Sequence, residues 1–254
     1  MRTIQAIALL SFREAIRDRV LYSLFVFSLI VLGLSNVIET LVVAEKARII
    51  KDIGFGGISI IGLFVSISVC VNIFSKELRG YRSSFLFSKP VSKGQFLLGK
   101  YIGALIILGV MIVLMGSVLL LNLLLVERKF DPDLLIGLSF IFIEFSVVTS
   151  FTLLFSNLFM PITSGILTFA IYVFGHLTSL LQDLFSADSY AFNPLIKSLF
   201  FLLPDLDKFN LVADIVYHTL PSWQHLVLLS MYGVCYICSA IVLSWFLIRK
   251  KDIK

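Results

Sequence analysis

The chain has 254 residues, of which 59% are hydrophobic and 15% charged, with 21 Lys and Arg against 16 Asp and Glu. Its mean hydropathy is +1.01, whereas a soluble domain usually carries about a quarter charged residues, so composition argues against a soluble enzyme or binding domain. The net charge of +5 does not signal nucleic-acid binding, because the basic residues gather at the ends of apolar runs and form no continuous stripe.

Residues 2–19 are charged and precede the first apolar run. At 100° per residue, Ile4, Ala8, Leu9, Phe12, Ala15 and Ile16 share one face, with Arg2, Arg13, Glu14 and Arg17 opposite and Ile7 and Leu10 breaking the pattern. This predicts an interfacial helix over 1–19, its basic face toward lipid headgroups or a partner; a simple orientation signal is the plainer alternative. The run that follows is too long for a signal h-region and no A-x-A-type site follows it, so it is not read as a cleavable signal peptide.

Apolar runs cover 20–43, 53–74, 101–126, 135–182 and 223–248. Roughly 20 apolar residues suffice to cross the hydrocarbon core as a helix. The fourth run is about twice that, and Asn157 and Pro161 near its middle mark a helix break at Phe159–Pro161. Splitting it into 135–158 and 161–182 gives six predicted spans in one transmembrane domain.

The connections are unequal. Between spans two and three, 75–100 is long and basic. Residues 76–87 can form a short helix, with Lys76, Glu77, Arg79 and Arg82 polar and Leu78, Tyr81, Phe85 and Leu86 apolar. Pro90 stops it. Ser92, with Gln95 three residues on, has the capping-box spacing that opens the next helix. The opposite side carries short loops at 44–52 and 127–134 and a long one at 183–222, which includes Pro204-Asp205-Leu206-Asp207-Lys208-Phe209-Asn210. Long ordered loops tend to carry function.

With the N-terminus inside, fourteen basic residues fall on the cytoplasmic side, from Arg2 through Lys76–Lys100 to Lys254; seven fall outside, namely Lys46, Arg48, Lys51, Arg128, Lys129, Lys197 and Lys208. The positive-inside rule therefore places both termini in the cytoplasm.

Several motifs point to chemistry and fail on context. Gly94 to Lys100 matches G-x-x-x-x-G-K, but Tyr101 stands where a P-loop needs Ser or Thr, and no strand precedes it. Gly99 and Gly103 read better as a small-xxx-small helix contact. Cys235-Tyr-Ile-Cys238 lies in an apolar helix with no group to make a thiolate. Asp214, His218 and His225 are poorly matched as metal ligands, and neither G-x-S-x-G nor H-E-x-x-H occurs. No catalytic residue, metal or cofactor is expected on this chain. Two ionisable residues do sit at membrane depth, where charge is expensive and usually functional. Glu144 and His176 can line a pathway or meet across the turn at Pro161, against the plainer alternative of a hydrogen-bonded role inside the bundle.

In its order of parts the chain resembles the transmembrane permease subunit of ABC-2 type ABC transporters (the type V exporter fold). The residues that carry the resemblance are Phe12-Arg13-Glu14-Ala15-Ile16-Arg17-Asp18-Arg19, the exit from span two at Phe74-Ser75-Lys76-Glu77-Leu78-Arg79-Gly80, then Leu86-Phe87-Ser88-Lys89-Pro90-Val91-Ser92-Lys93 and Phe96-Leu97-Leu98-Gly99-Lys100. The stretch from Phe201 to Asn210 is similar to the branch that includes copper-site maturation and gliding-motility permeases. The resemblance implies an all-α membrane protein with six spans, an N-terminal interfacial helix, a cytoplasmic coupling helix between spans two and three, and outer re-entrant helices before span six. It implies a homodimer, with spans one and five at the interface, in the cytoplasmic (inner) membrane of a bacterium. Each copy would dock a separate ATPase, which holds ATP and Mg, through Lys76, Glu77, Leu78, Arg79, Tyr81, Arg82 and Phe85. The outcome would be export or force transmission; the apolar spans fit a lipid-linked, hydrophobic or peptide cargo equally. The rival readings are a proton-coupled secondary transporter using Glu144 and a membrane anchor for a soluble assembly.

Overall fold

A computed structural model describes residues 2–16, 26, 33, 46–80, 92–128, 131–187, 203–217 and 219–250. Among them lie seven α-helices: α1 (Arg2–Ile16), α2 (Lys46–Gly80), α3 (Lys93–Glu127), α4 (Asp133–Leu158), α5 (Pro161–Ala187), α6 (Val212–Val216) and α7 (Trp223–Lys250). A 3-10 turn at Asp207–Phe209 precedes α6. Five of the helices, α2, α3, α4, α5 and α7, are long and apolar enough to cross a membrane. The fold is that of a multi-pass helical membrane protein. The first predicted span, 20–43, lies outside the described residues apart from Val26 and Gly33.

Local chemistry sets the helix ends. Ser92 is the N-cap of α3, its hydroxyl accepting from the Gln95 backbone N–H at 3.3 Å. α4 stops at Leu158 and α5 starts on Pro161, whose missing N–H costs nothing in a first helical turn. α3 ends on Arg128 in the left-handed region (φ 55°), where its N–H still bonds the Leu124 carbonyl.

α2 departs from the sequence expectation at both ends. It starts at Lys46, ahead of the apolar run, because those first turns are already inside the packing. Ile50 is fully buried, and Lys51, counted above as a loop residue, is buried and paired with Asp131 at 2.7 Å. At the other end the helix continues without interruption to Gly80. Residues 76–80 are thus the last turn of a membrane helix and not the start of a separate one. The rest of the predicted coupling helix, 81–91, lies outside the described residues.

α4 is the central helix, packed against α2, α3, α5 and α7. Three of its buried hydroxyls spend their donors on the preceding turn: Ser146 on Phe142, Ser150 on Val147 and Thr152 on Val148. No water is available at that depth to satisfy them, so they bond internally. Polar contacts also tie the bundle together. Tyr101 on α3 donates to the Ser146 carbonyl at 3.0 Å, Ser156 on α4 and Ser164 on α5 are 2.9 Å apart, and Asn157 donates to Ser244 on α7.

α1 lies on α3, and its packed face is centred on Ala8 and Ser11, both buried. The face read from the sequence included Leu9; in the structure Leu9 and Leu10 are both exposed. Small residues face the neighbouring helix because the backbones approach closely there, Phe12 packs beside them against the core, and Leu9 and Leu10 point away. The helix is apolar on two sides, which is why a single-face pattern left Ile7 and Leu10 unexplained.

Candidate functional site

Glu144 and His176 meet. Glu144 is 14 residues before the end of α4 and His176 is 15 after the start of α5. At 1.5 Å per residue they stand about 21 Å and about 22 Å from the turn between the helices, at one level. His176 Nε2 lies 3.5 Å from Glu144 Oε1, with Glu144 3% exposed and His176 26%. That oxygen makes no aligned hydrogen bond, so the contact is one of proximity. On its other side the imidazole Nδ1 is 3.3 Å from the Tyr172 carbonyl. A carbonyl only accepts, so Nδ1 carries a hydrogen, and Nε2 faces the carboxyl with room for one proton between them. The Tyr172 ring packs on the imidazole at 4.5 Å and stacks on Phe145 at 6.2 Å.

A segment outside the α-helices, 203–210, descends onto this pair. The Leu206 N–H donates to the Gly175 carbonyl, next to His176, at 3.1 Å, and the Asp205 N–H donates to the Tyr232 hydroxyl of α7 at 2.9 Å. Gly175 is 12 residues from the end of α5, and Gly233, which packs on Phe209, is 10 into α7. The segment therefore reaches about 15–18 Å below the helix ends, roughly half of a 30 Å hydrocarbon core. Irregular backbone is tolerated at that depth only when buried in protein, and Pro204, Asp205, Leu206 and Phe209 are buried. Asp205 pairs with Lys208 at 3.3 Å, and the Lys208 ammonium lies over the Tyr232 ring at 5.6 Å. The sequence marked the 203–210 stretch and the two ionisable residues separately; only the fold brings them together.

The other predicted residues fall elsewhere. The backbones of Lys76, Glu77, Leu78 and Arg79 form the last turn of α2, while Tyr81, Arg82 and Phe85 lie outside the described residues. Gly99 is buried in α3. Gly103 meets α1: a Cβ there would stand 2.7 Å from Ser11 Cβ and 3.1 Å from the Ala8 carbonyl oxygen. The G-x-x-x-x-G-K stretch at 94–100 is continuous helix, not a phosphate-binding turn. Lys100, counted among the cytoplasmic basic residues, is 1% exposed and lies over the Phe96 ring at 5.7 Å. Its position one helical turn after Phe96 was the available signal. Cys70 is buried against the Thr149 carbonyl, and Cys235 and Cys238 are exposed on α7.

Comparison with known protein families finds none whose model matches the chain, and comparison with curated proteins finds no relative.

Proposed function

We propose that the chain is the transmembrane permease subunit of an ABC-2 type ABC transporter, coupling ATP hydrolysis by a separate ATPase subunit to export or force transmission across a bacterial inner membrane. The end of the bundle that holds Ser92 is then cytoplasmic, with both termini on that side. What supports this reading most is the unbroken course of α2 from the membrane to Gly80. A push on Glu77 or Arg79 would reach the bundle through a single rigid helix, without a hinge to absorb it. α3 restarts at a defined cap, and α1 lies on α3 at the same end, so the elements that would receive a stroke are mechanically joined. A second copy would meet the exposed row Ile162, Ile166, Phe169 and Val173 of α5, which recurs at helical spacing.

Charge reversal at Glu77 and Arg79 together tests the proposal. The expected result is loss of ATPase binding by roughly a hundredfold, as for truncation of a few interface hot spots, with membrane insertion unchanged. Retention of normal ATPase binding by the doubly reversed protein would place the docking site elsewhere.

A further inference from the structure

We propose that Glu144 and His176 form a proton-binding site at membrane depth, in which Glu144 holds one proton as a neutral carboxylic acid and His176 is the group through which that proton exchanges. The inference stands on the geometry of the pair and is independent of the permease reading.

The location of the proton follows from what each group faces. Glu144 is 3% exposed, and among the described residues its one polar contact is His176, with Oε1 left without a hydrogen-bond donor. An ionised Glu144 would therefore be a buried charge that no N–H or hydroxyl solvates, the most expensive state open to a carboxyl in an apolar interior. The imidazole is fixed from its other side. Its Nδ1 stands 3.3 Å from the Tyr172 carbonyl, which only accepts, so the single N–H of the neutral ring sits there. Nε2 then turns a lone pair toward Oε1 at 3.5 Å. An imidazolium N–H at Nε2 would not align on Oε1, whereas a carboxylic O–H rotates about its C–O bond to point at Nε2. The walls are aromatic and apolar: Tyr172 packs on the imidazole and stacks on Phe145, which α2 covers at Gly62. Such a setting favours the neutral acid and imidazole over the charge-separated form. On the segment above, Asp205 and Lys208 pair with each other at 3.3 Å, and the Tyr232 hydroxyl is taken by the Asp205 N–H.

Exchange uses the more exposed partner, His176, which is 26% exposed. The Glu144 O–H bond breaks as the Nε2–H bond forms, leaving a carboxylate beside an imidazolium. The imidazolium then passes its proton to water, and rebinding retraces the two steps. Glu144 supplies the store and His176 the way in and out.

Infrared spectroscopy of the full-length protein in lipid nanodiscs at neutral pH reads the acid directly, because a protonated carboxyl has a C=O stretch that a carboxylate lacks. Wild type is expected to show a carboxylic acid band that is absent in Glu144→Gln and that shifts on transfer to heavy water. His176→Phe should keep the band and slow its deuterium shift roughly a hundredfold, the lower end of what a positioned general acid–base group contributes. A histidine with only a packing role would leave that rate unchanged. Identical acid bands in wild type and Glu144→Gln, or a deuterium shift in His176→Phe at the wild-type rate, would overturn the proposal. Should Glu144→Gln lose its helical amide band and so fail to fold, Glu144→Asp replaces it: the acid band must move with the shorter side chain, and an unmoved band rejects the site.

Discussion

Gly103→Leu is expected to detach α1 from α3 while leaving the bundle inserted. The Cβ alone would stand 2.7 Å from Ser11 Cβ, 3.1 Å from the Ala8 carbonyl oxygen and 3.4 Å from Ala8 Cα. Two of those three atoms are backbone, so no rotamer change relieves the contact; the helix itself must move. Ala8 and Ser11 are buried in this packing, and overpacking at such a site costs about 3 kcal/mol. That corresponds to a loss of more than about a hundredfold in the population of docked α1. The exposed Arg13 supplies the readout: trypsin should cut after it severalfold faster in the variant than in wild type. Under the permease reading, transport would fall with ATPase binding retained, because α1 would no longer receive the stroke. Unchanged cleavage would mean that α1 is held by something other than this contact.

The second large effect is expected at Gly175. A side chain there meets Leu206 Cγ at 2.8 Å, Leu206 Cδ1 at 2.9 Å and the Pro204 carbonyl oxygen at 2.9 Å. Gly175→Val should therefore lift segment 203–210, breaking the Leu206 N–H bond to the Gly175 carbonyl and exposing Leu206 and Phe209, which are 0% and 1% exposed in place. The cost is about 3 kcal/mol, borne by the segment and not by the helices, since the α4 contacts with α2, α3 and α7 do not involve Gly175. Exchange protection should collapse over 203–210 and persist in α4. Gly175→Ala should lie between wild type and Gly175→Val, because the Cβ itself already makes the close contacts. A Gly175→Val protein with wild-type protection over 203–210 would show that the segment does not depend on this approach.

What the sequence made legible was local. Run length announced the membrane helices, Asn157 and Pro161 located the turn between α4 and α5, and Ser92 with Gln95 located the start of α3. Each signal lies within a few residues of the feature it specifies. The misreadings were nonlocal. Lys51 looked like a loop cation because its partner, Asp131, is 80 residues away, and without that partner nothing extends α2 back to Lys46. α1 was assigned one apolar face, although its tightest contact is made by Ala8 and Ser11, which carry little hydrophobic signal. For the candidate site, the sequence marked Glu144 and His176 by the cost of their depth, and equal spacing from the turn at Pro161 was enough to let them meet. The descent of Asp205 and Leu206 between α5 and α7 was not readable, since it rests on contacts with Gly175 and Tyr232, each about 30 residues distant in sequence.

As the proposed permease, this chain would work as one half of a machine whose energy source is a separate protein. Purification of the tagged full-length chain from native membranes in mild detergent, with identification and quantification of what accompanies it, tests that most directly. The expected result is a soluble P-loop ATPase at one copy per copy of this chain, lost in the Glu77 and Arg79 reversal. A chain that emerges alone, and stays alone after crosslinking in the membrane, would contradict the permease assignment and leave the Glu144–His176 pair as the basis for a proton-driven transporter.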